Sequence, residues 1–125
     1  MTPEELENRL IEFASRIIDL AEAVPKRASA KHLGGQILRS GTSPALNYGE
    51  ARGAESDTDF IHKLKVCLKE LRETHICLRI IAKRKWFPEE RLTPLISENN
   101  ELISIFVTSI KTSGGKKQWT PLQSK

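Results

Sequence analysis

Three histidines, two cysteines and one pair of carboxylates are the side chains of this sequence best equipped for chemistry. His32, His62 and His75 are scattered over the chain without a pair at ligand spacing. His75 and Cys77 stand two positions apart and so diverge to different faces of a helix, which is wrong for two ligands of one tetrahedral zinc. Glu70 and Glu73 fall on adjacent turns, but within Glu70-Leu71-Arg72-Glu73-Thr74 they read as a solvated face or as half of an interhelical ion pair. No Walker loop, zincin motif or nucleophile elbow occurs, and Gly34-Gly35 lacks the strand-to-helix setting of a phosphate loop. Catalysis needs a nucleophile, a base and a group to orient the base, or a metal with converging ligands. The residue types therefore favour a protein that is not an enzyme, with no cofactor and no metal.

Charge gives a more positive signal. Lys65, Lys69, Arg72, Arg79 and Lys83 recur at alternating steps of four and three, with Ile76 as the one gap. On a helix this makes a stripe roughly 25 Å long at about 1.5 Å per residue. Such a row can track nucleic-acid phosphates, each contact adding to a salt-dependent affinity. It can equally be a solvated face balanced by Glu70, Glu73 and acidic residues of a neighbouring helix. A ring of identical subunits would repeat the stripe and multiply a weak attraction through effective concentration.

A second rhythm carries polar groups where helices usually carry apolar ones. Gln36, Ser40, Ser43, Asn47 and Glu50 follow each other at steps of four, three, four and three. Either this seam presents Arg39, Asn47 and Glu50 to a ligand between helices, or it is a hydrogen-bonded network that fixes helix register. In the second case Arg39 meets Glu70 or Glu73 on another helix. Neutral Ser and Asn fit against backbone in close packing, which favours the structural role.

These residues need long helices to hold them, and the sequence supplies four. Thr2, Pro3 and Glu5 form a capping box with proline at the first helical position, and Leu6, Leu10, Phe13, Ile17, Leu20 and Val24 form the apolar seam that follows. Pro25 stops this first helix. Ser29 is the expected cap of a second, from about residue 30 to Gly53, holding Gly34, Gly35, Gly41 and Gly49 with Pro44 inside it. Interior glycine costs about 1 kcal/mol and interior proline about 3 relative to alanine, so tertiary packing must hold this helix, with a kink expected near Ser40. Ser56 and Asp59 cap a third helix, whose Phe60, Leu64, Cys67, Leu71, Thr74, Leu78 and Ile81 keep the most regular rhythm in the chain. Trp86-Phe87-Pro88 closes it. A fourth begins at Pro88-Glu89-Glu90, is apolar from Leu92 to Ile110 except at Asn99, and is expected to end at Gly114-Gly115.

No strand pattern occurs. Short links between long helices imply an all-α, antiparallel up-down-up-down four-helix bundle over residues 1–113, with a flexible tail at 114–125 in which Trp119 and Leu122 could dock. Cys67 and Cys77, ten residues apart on one helix, are about 15 Å apart and read as free thiols of a reducing compartment. The start Met1-Thr2-Pro3-Glu4-Glu5 is not a secretory signal, and no apolar run approaches the roughly 20 residues of a membrane span. A cytoplasmic protein without a membrane partner is expected.

The run Gln36-Ile37-Leu38-Arg39-Ser40-Gly41-Thr42-Ser43, then Asn47-Tyr48, Glu50-Ala51, Asp59-Phe60-Ile61 and Lys69-Glu70-Leu71-Arg72-Glu73-Thr74, resembles the bacterial four-helix-bundle family named after proteins encoded in 23S ribosomal RNA intervening sequences. The resemblance covers about residues 5 to 113. It implies an antiparallel bundle that assembles as a homopentameric ring with a central channel. The family is similar to the accessory protein of diversity-generating retroelements, whose basic pentamer binds a reverse transcriptase and nucleic acid; here that partner is an analogy of fold alone. The resulting expectation is a non-enzymatic oligomer that binds RNA, DNA or a nucleoprotein through Lys65, Lys69, Arg72, Arg79 and Lys83. Gln36, Arg39, Ser40, Ser43, Asn47, Glu50 and Glu70 would serve as its structural polar network. The alternative is a scaffold that binds only proteins.

Overall fold

The computed structural model describes residues 1–116. Four helices follow in order: α1 (Pro3–Glu22), α2 (Ala28–Arg52), α3 (Asp57–Arg84) and α4 (Glu89–Lys116). Short turns join them, so each helix runs antiparallel to the one before it. The α1–α2, α2–α3 and α3–α4 contacts are extensive and the α1–α4 contact is slighter. There is no strand among the described residues, and no helix there is long and apolar enough to cross a membrane.

The core is built from the expected rows. Leu6, Leu10, Phe13, Ile17 and Leu20 of α1 are buried with Phe60, Leu64, Leu71, Leu78 and Ile81 of α3, and α4 adds Leu92, Leu95, Leu102 and Phe106. Tyr48 of α2 meets Phe106 edge to face, with ring centres 5.9 Å apart.

Local chemistry sets most helix ends. At α1 the Glu5 N–H donates to Thr2 Oγ1 at 3.0 Å and the Thr2 N–H donates to Glu5 Oε1 at 2.8 Å, a complete capping box. At α3 the Asp59 N–H donates to Ser56 Oγ at 3.1 Å. Lys85 then turns left-handed, with φ of 58°, to end that helix.

Two ends differ from the sequence reading. The start of α2 is capped by Arg27, without a side-chain hydrogen bond, and Ser29 lies inside the first turn. There the Arg27 N–H donates to Pro25 O at 3.0 Å, so a backbone turn after Pro25 launches the helix and no hydroxyl is needed. At the other end, α4 continues through Gly114-Gly115 to Lys116. Glycine stops a helix when it adopts the left-handed conformation, and no described glycine has positive φ. Trp119 and Leu122 lie outside the described residues.

Packing explains how α2 tolerates its composition. A Cβ on Gly41 would lie 2.7 Å from Ile17 Cγ2, and one on Gly34 would lie 3.2 Å from Val24 Cγ2, so these glycines set how closely α1 and α2 approach. Pro44 is buried inside one unbroken helix, and its carbonyl accepts from Cys67 Sγ at 3.5 Å. α4 also contains an interior proline, Pro94, which its apolar rhythm gives no hint of.

Candidate functional site

The α3 row lies straight along the helix, because Lys65, Arg72 and Arg79 repeat every seven residues and so do Lys69, Ile76 and Lys83. All five cations are exposed. None has an ion-pair or side-chain hydrogen-bond partner among the described residues. Ile76 within the row is 49% exposed, and Ile80 beside it is exposed as well.

The carboxylates expected to balance the row are committed elsewhere. Arg39 of α2 donates from Nη1 to Glu70 Oε1 at 2.9 Å and from Nη2 to Glu73. These bonds, the one to Glu73 foremost, raise the Arg39 pKa above its ordinary value. The remaining interhelical pairs use other cations: Arg9 with Glu98 and Glu101 at 2.7 and 2.9 Å, Arg52 with Glu7 at 2.8 Å, and Lys63 with Glu50 at 2.6 Å. The fold thus uses one set of cations to join helices and leaves the α3 row without an ion-pair partner among the described residues.

The polar seam of α2 resolves into separate contacts rather than one network. Gln36 is exposed and has no hydrogen-bond partner among the described residues. Ser40 is fully buried, and its hydroxyl lies 2.8 Å from that of Thr74. Thr74 Oγ1 is also 2.9 Å from Glu70 O. A hydroxyl has a single proton, so the consistent arrangement has Thr74 donating to the Glu70 carbonyl and accepting from Ser40. Asn47 Nδ2 donates to Ser43 O at 3.1 Å and to Ser43 Oγ at 2.8 Å, both within α2. Glu50 is exposed and holds Lys63.

Two further residues have buried polar atoms without a partner. Asn99 of α4 donates from Nδ2 to Leu71 O at 3.0 Å, which ties α4 to α3, while its Oδ1 has no partner. Nδ1 of His75, one turn after Leu71, is likewise buried and unpaired. The sequence marks Asn99 only as a break in an apolar face; its bond to a carbonyl of another helix needs the tertiary structure.

Neither thiol is set up as a nucleophile. Cys67 and Cys77 are free and buried. Burial pushes the Cys67 thiol up to about 12 and that of Cys77 above its ordinary value, so both stay protonated at neutral pH. Among the described residues no three His, Cys, Asp or Glu side chains converge as a metal site.

Comparison with known proteins fits this architecture. The profile of a family described as 23S rRNA-intervening sequence protein matches residues 5–108. A crystal structure of a protein of unknown function from the S23 ribosomal protein family of Bacteroides thetaiotaomicron VPI-5482 superposes with a TM-score of 0.82. It is 32% identical, and the match covers 89% of this chain and 99% of that one. No curated protein matches the chain.

Proposed function

Because the chain belongs to the 23S rRNA-intervening sequence protein family, we propose that it is a non-enzymatic bundle whose α3 face binds RNA through phosphates. The observation that carries this reading is the row Lys65, Lys69, Arg72, Arg79 and Lys83, exposed and without an ion-pair partner among the described residues. Unpaired cations spread along one helix match the regular charge of a phosphate backbone better than they match a small ligand. Each phosphate they neutralise releases condensed counterions, so affinity falls with salt and little sequence preference is expected. The two buried free thiols suit a reducing compartment such as the cytoplasm.

One observation favours a protein partner instead. Ile76 and Ile80 leave apolar surface inside and beside the row, as an amphipathic acidic helix would require.

Fluorescence anisotropy with a labelled single-stranded RNA separates the two. The RNA reading expects the logarithm of affinity to fall against the logarithm of salt with a slope of roughly −3.5, if all five cations meet phosphates. Lys65→Glu, Lys69→Glu and Arg72→Glu together should abolish binding. A variant that binds as tightly as the unaltered chain overturns the assignment, and no binding by either at low salt favours the protein-only scaffold.

A further inference from the structure

The α3 row is not uniform along its length. In chain order it runs Lys65, Lys69, Arg72, Ile76, Arg79 and Lys83, so lysines stand at both ends and the two arginines flank the isoleucine. The two kinds of cation are not interchangeable. A lysine ammonium is a compact, strongly hydrated charge, whereas a guanidinium is flat, more weakly hydrated and able to stack on a planar ring.

Ile76 lies four residues after Arg72, three before Arg79 and four before Ile80, the spacings at which side chains are neighbours on a helix surface. Both isoleucines are exposed. The methylene stems of the two arginines add to the apolar surface that the isoleucines begin. The middle of the row is thus an apolar patch edged by two flat cations, and no aromatic side chain stands on it.

The fold makes no use of these two arginines. Arg9, Arg39 and Arg52 each hold a carboxylate of another helix, while Arg72 and Arg79 have no ion-pair or side-chain hydrogen-bond partner among the described residues. Both guanidiniums are open to a ligand.

Spacing separates the middle of the row from its ends. Lys65 and Lys69 are about 6 Å apart along the axis, as are Arg79 and Lys83, but Arg72 and Arg79 are about 10.5 Å apart. A strand lying along the row meets cations at either end and an uncharged interval between them. In duplex RNA the bases are stacked inside, so Ile76 in that interval would press on charged backbone and gain nothing. A single strand can turn a base outward, and such bases are held by stacking on flat side chains, arginine planes among them.

We infer that the middle of the α3 row seats an unpaired RNA base, which lies on Ile76 and Ile80 between the Arg72 and Arg79 guanidiniums, so that this face selects single-stranded over duplex RNA. The inference rests on the RNA reading of the same face and names the kind of RNA it takes. Lys65, Lys69 and Lys83 hold phosphates on either side and carry no preference between bases. The exposed isoleucines then serve RNA and not an amphipathic protein helix.

Charge alone would give the opposite order. Counterions condense more densely on a duplex than on a single strand, so each phosphate contact to a duplex releases more of them. A purely electrostatic row therefore binds the duplex more tightly, and tighter binding of the single strand reports contact with a base.

Fluorescence anisotropy of the full chain with three labelled probes tests the base site. The probes are a mixed-sequence single-stranded RNA of about ten nucleotides, the same strand paired with its complement, and an abasic strand with the same number of phosphates. The single strand should bind about tenfold more tightly than either of the others, as expected for one stacked base. Ile76→Ser alone, and Arg72→Lys with Arg79→Lys together, should each bring the single strand down to the affinity of the abasic strand. The salt slope should not change, because neither variant loses a charge. Since all three positions are exposed, the melting temperature should hold as well; a merely structural role would lower it and weaken all three probes alike. A single strand that binds no more tightly than the duplex or the abasic strand, or variants that keep the preference, would overturn the base site and leave phosphate binding in place. No binding of any probe at low salt would overturn the RNA reading and the base site with it.

Discussion

The α2 side of the bundle and the outer face of α3 are both rich in polar and charged residues, and the fold treats them in opposite ways. On α2, Arg39 is held by Glu70 and Glu73, Glu50 holds Lys63, Ser40 meets Thr74 and Gly41 receives Ile17. On α3, Lys65, Lys69, Arg72, Arg79 and Lys83 hold nothing within the described chain. A helix surface whose charges are answered by neighbours is bound up with the fold. One whose charges go unanswered plays no part in holding the fold and is available to a polyanion.

If that contrast is right, stability should respond to changes on the packed side and ignore changes on the open one. The largest response should come from alkaline pH. The Cys67 thiol is held up to about 12 by burial, against an ordinary 9.0, and burial raises the Tyr48 phenol too. The folded state keeps these protons where the unfolded state loses them. The Cys67 contribution is thus complete below pH 9 and is lost between 9 and 12, by about 1.4 kcal/mol per pH unit. Urea unfolding at pH 8, 9.5 and 11 should show this fall, and Cys67→Ala should make it shallower, leaving the part that Tyr48 contributes above pH 10. A slope indifferent to that substitution would remove Cys67 from the packed side.

Close packing ranks next. Gly41→Ala places a methyl group 2.7 Å from Ile17 Cγ2 and should cost about 1–3 kcal/mol by denaturant titration. Thr74→Val keeps the shape but strands the buried Ser40 hydroxyl, with an expected loss of about 1–2 kcal/mol. Arg39→Ala removes a more exposed cation, so its smaller effect should shrink further as salt rises. The smallest effect belongs to the open face: Lys65→Glu, Lys69→Glu and Arg72→Glu should leave the melting temperature nearly unchanged, since no intramolecular partner is lost.

How much of this was readable in the residues depends on how far apart the interacting groups lie in sequence. Thr2 with Glu5 and Ser56 with Asp59 are caps whose partners stand three positions apart, so the pattern specified them and the structure has them. The alternating rows of α1 and α3 showed which faces go inward, and hence an all-α bundle of four helices. Ser29 was misleading because the turn after Pro25 starts α2 without a side-chain cap, and Gly114-Gly115 because glycine permits a helix stop without enforcing one. Pro94 went unnoticed inside a strong apolar rhythm.

For the candidate site, periodicity indicated that the five cations share one face. It left open whether Glu70 and Glu73 neutralise them, because that depends on Arg39, some thirty residues earlier. The difference between Gly41 and Gly49 is of the same kind: on sequence they are equal, and only the neighbouring α1 separates them. The polar seam looked continuous because its spacing is regular, yet Gln36, Asn47 and Glu50 each meet different surroundings.

The most direct test of the unanswered row is a titration of single-stranded RNA against the unaltered chain and against its Lys65→Glu, Lys69→Glu, Arg72→Glu variant at several salt concentrations. Salt-sensitive binding by the first and none by the second, with melting temperatures alike, is the expected result. Binding of equal strength by both, or a variant that no longer folds, would contradict the separation of α3's outer face from the packing that holds the bundle together.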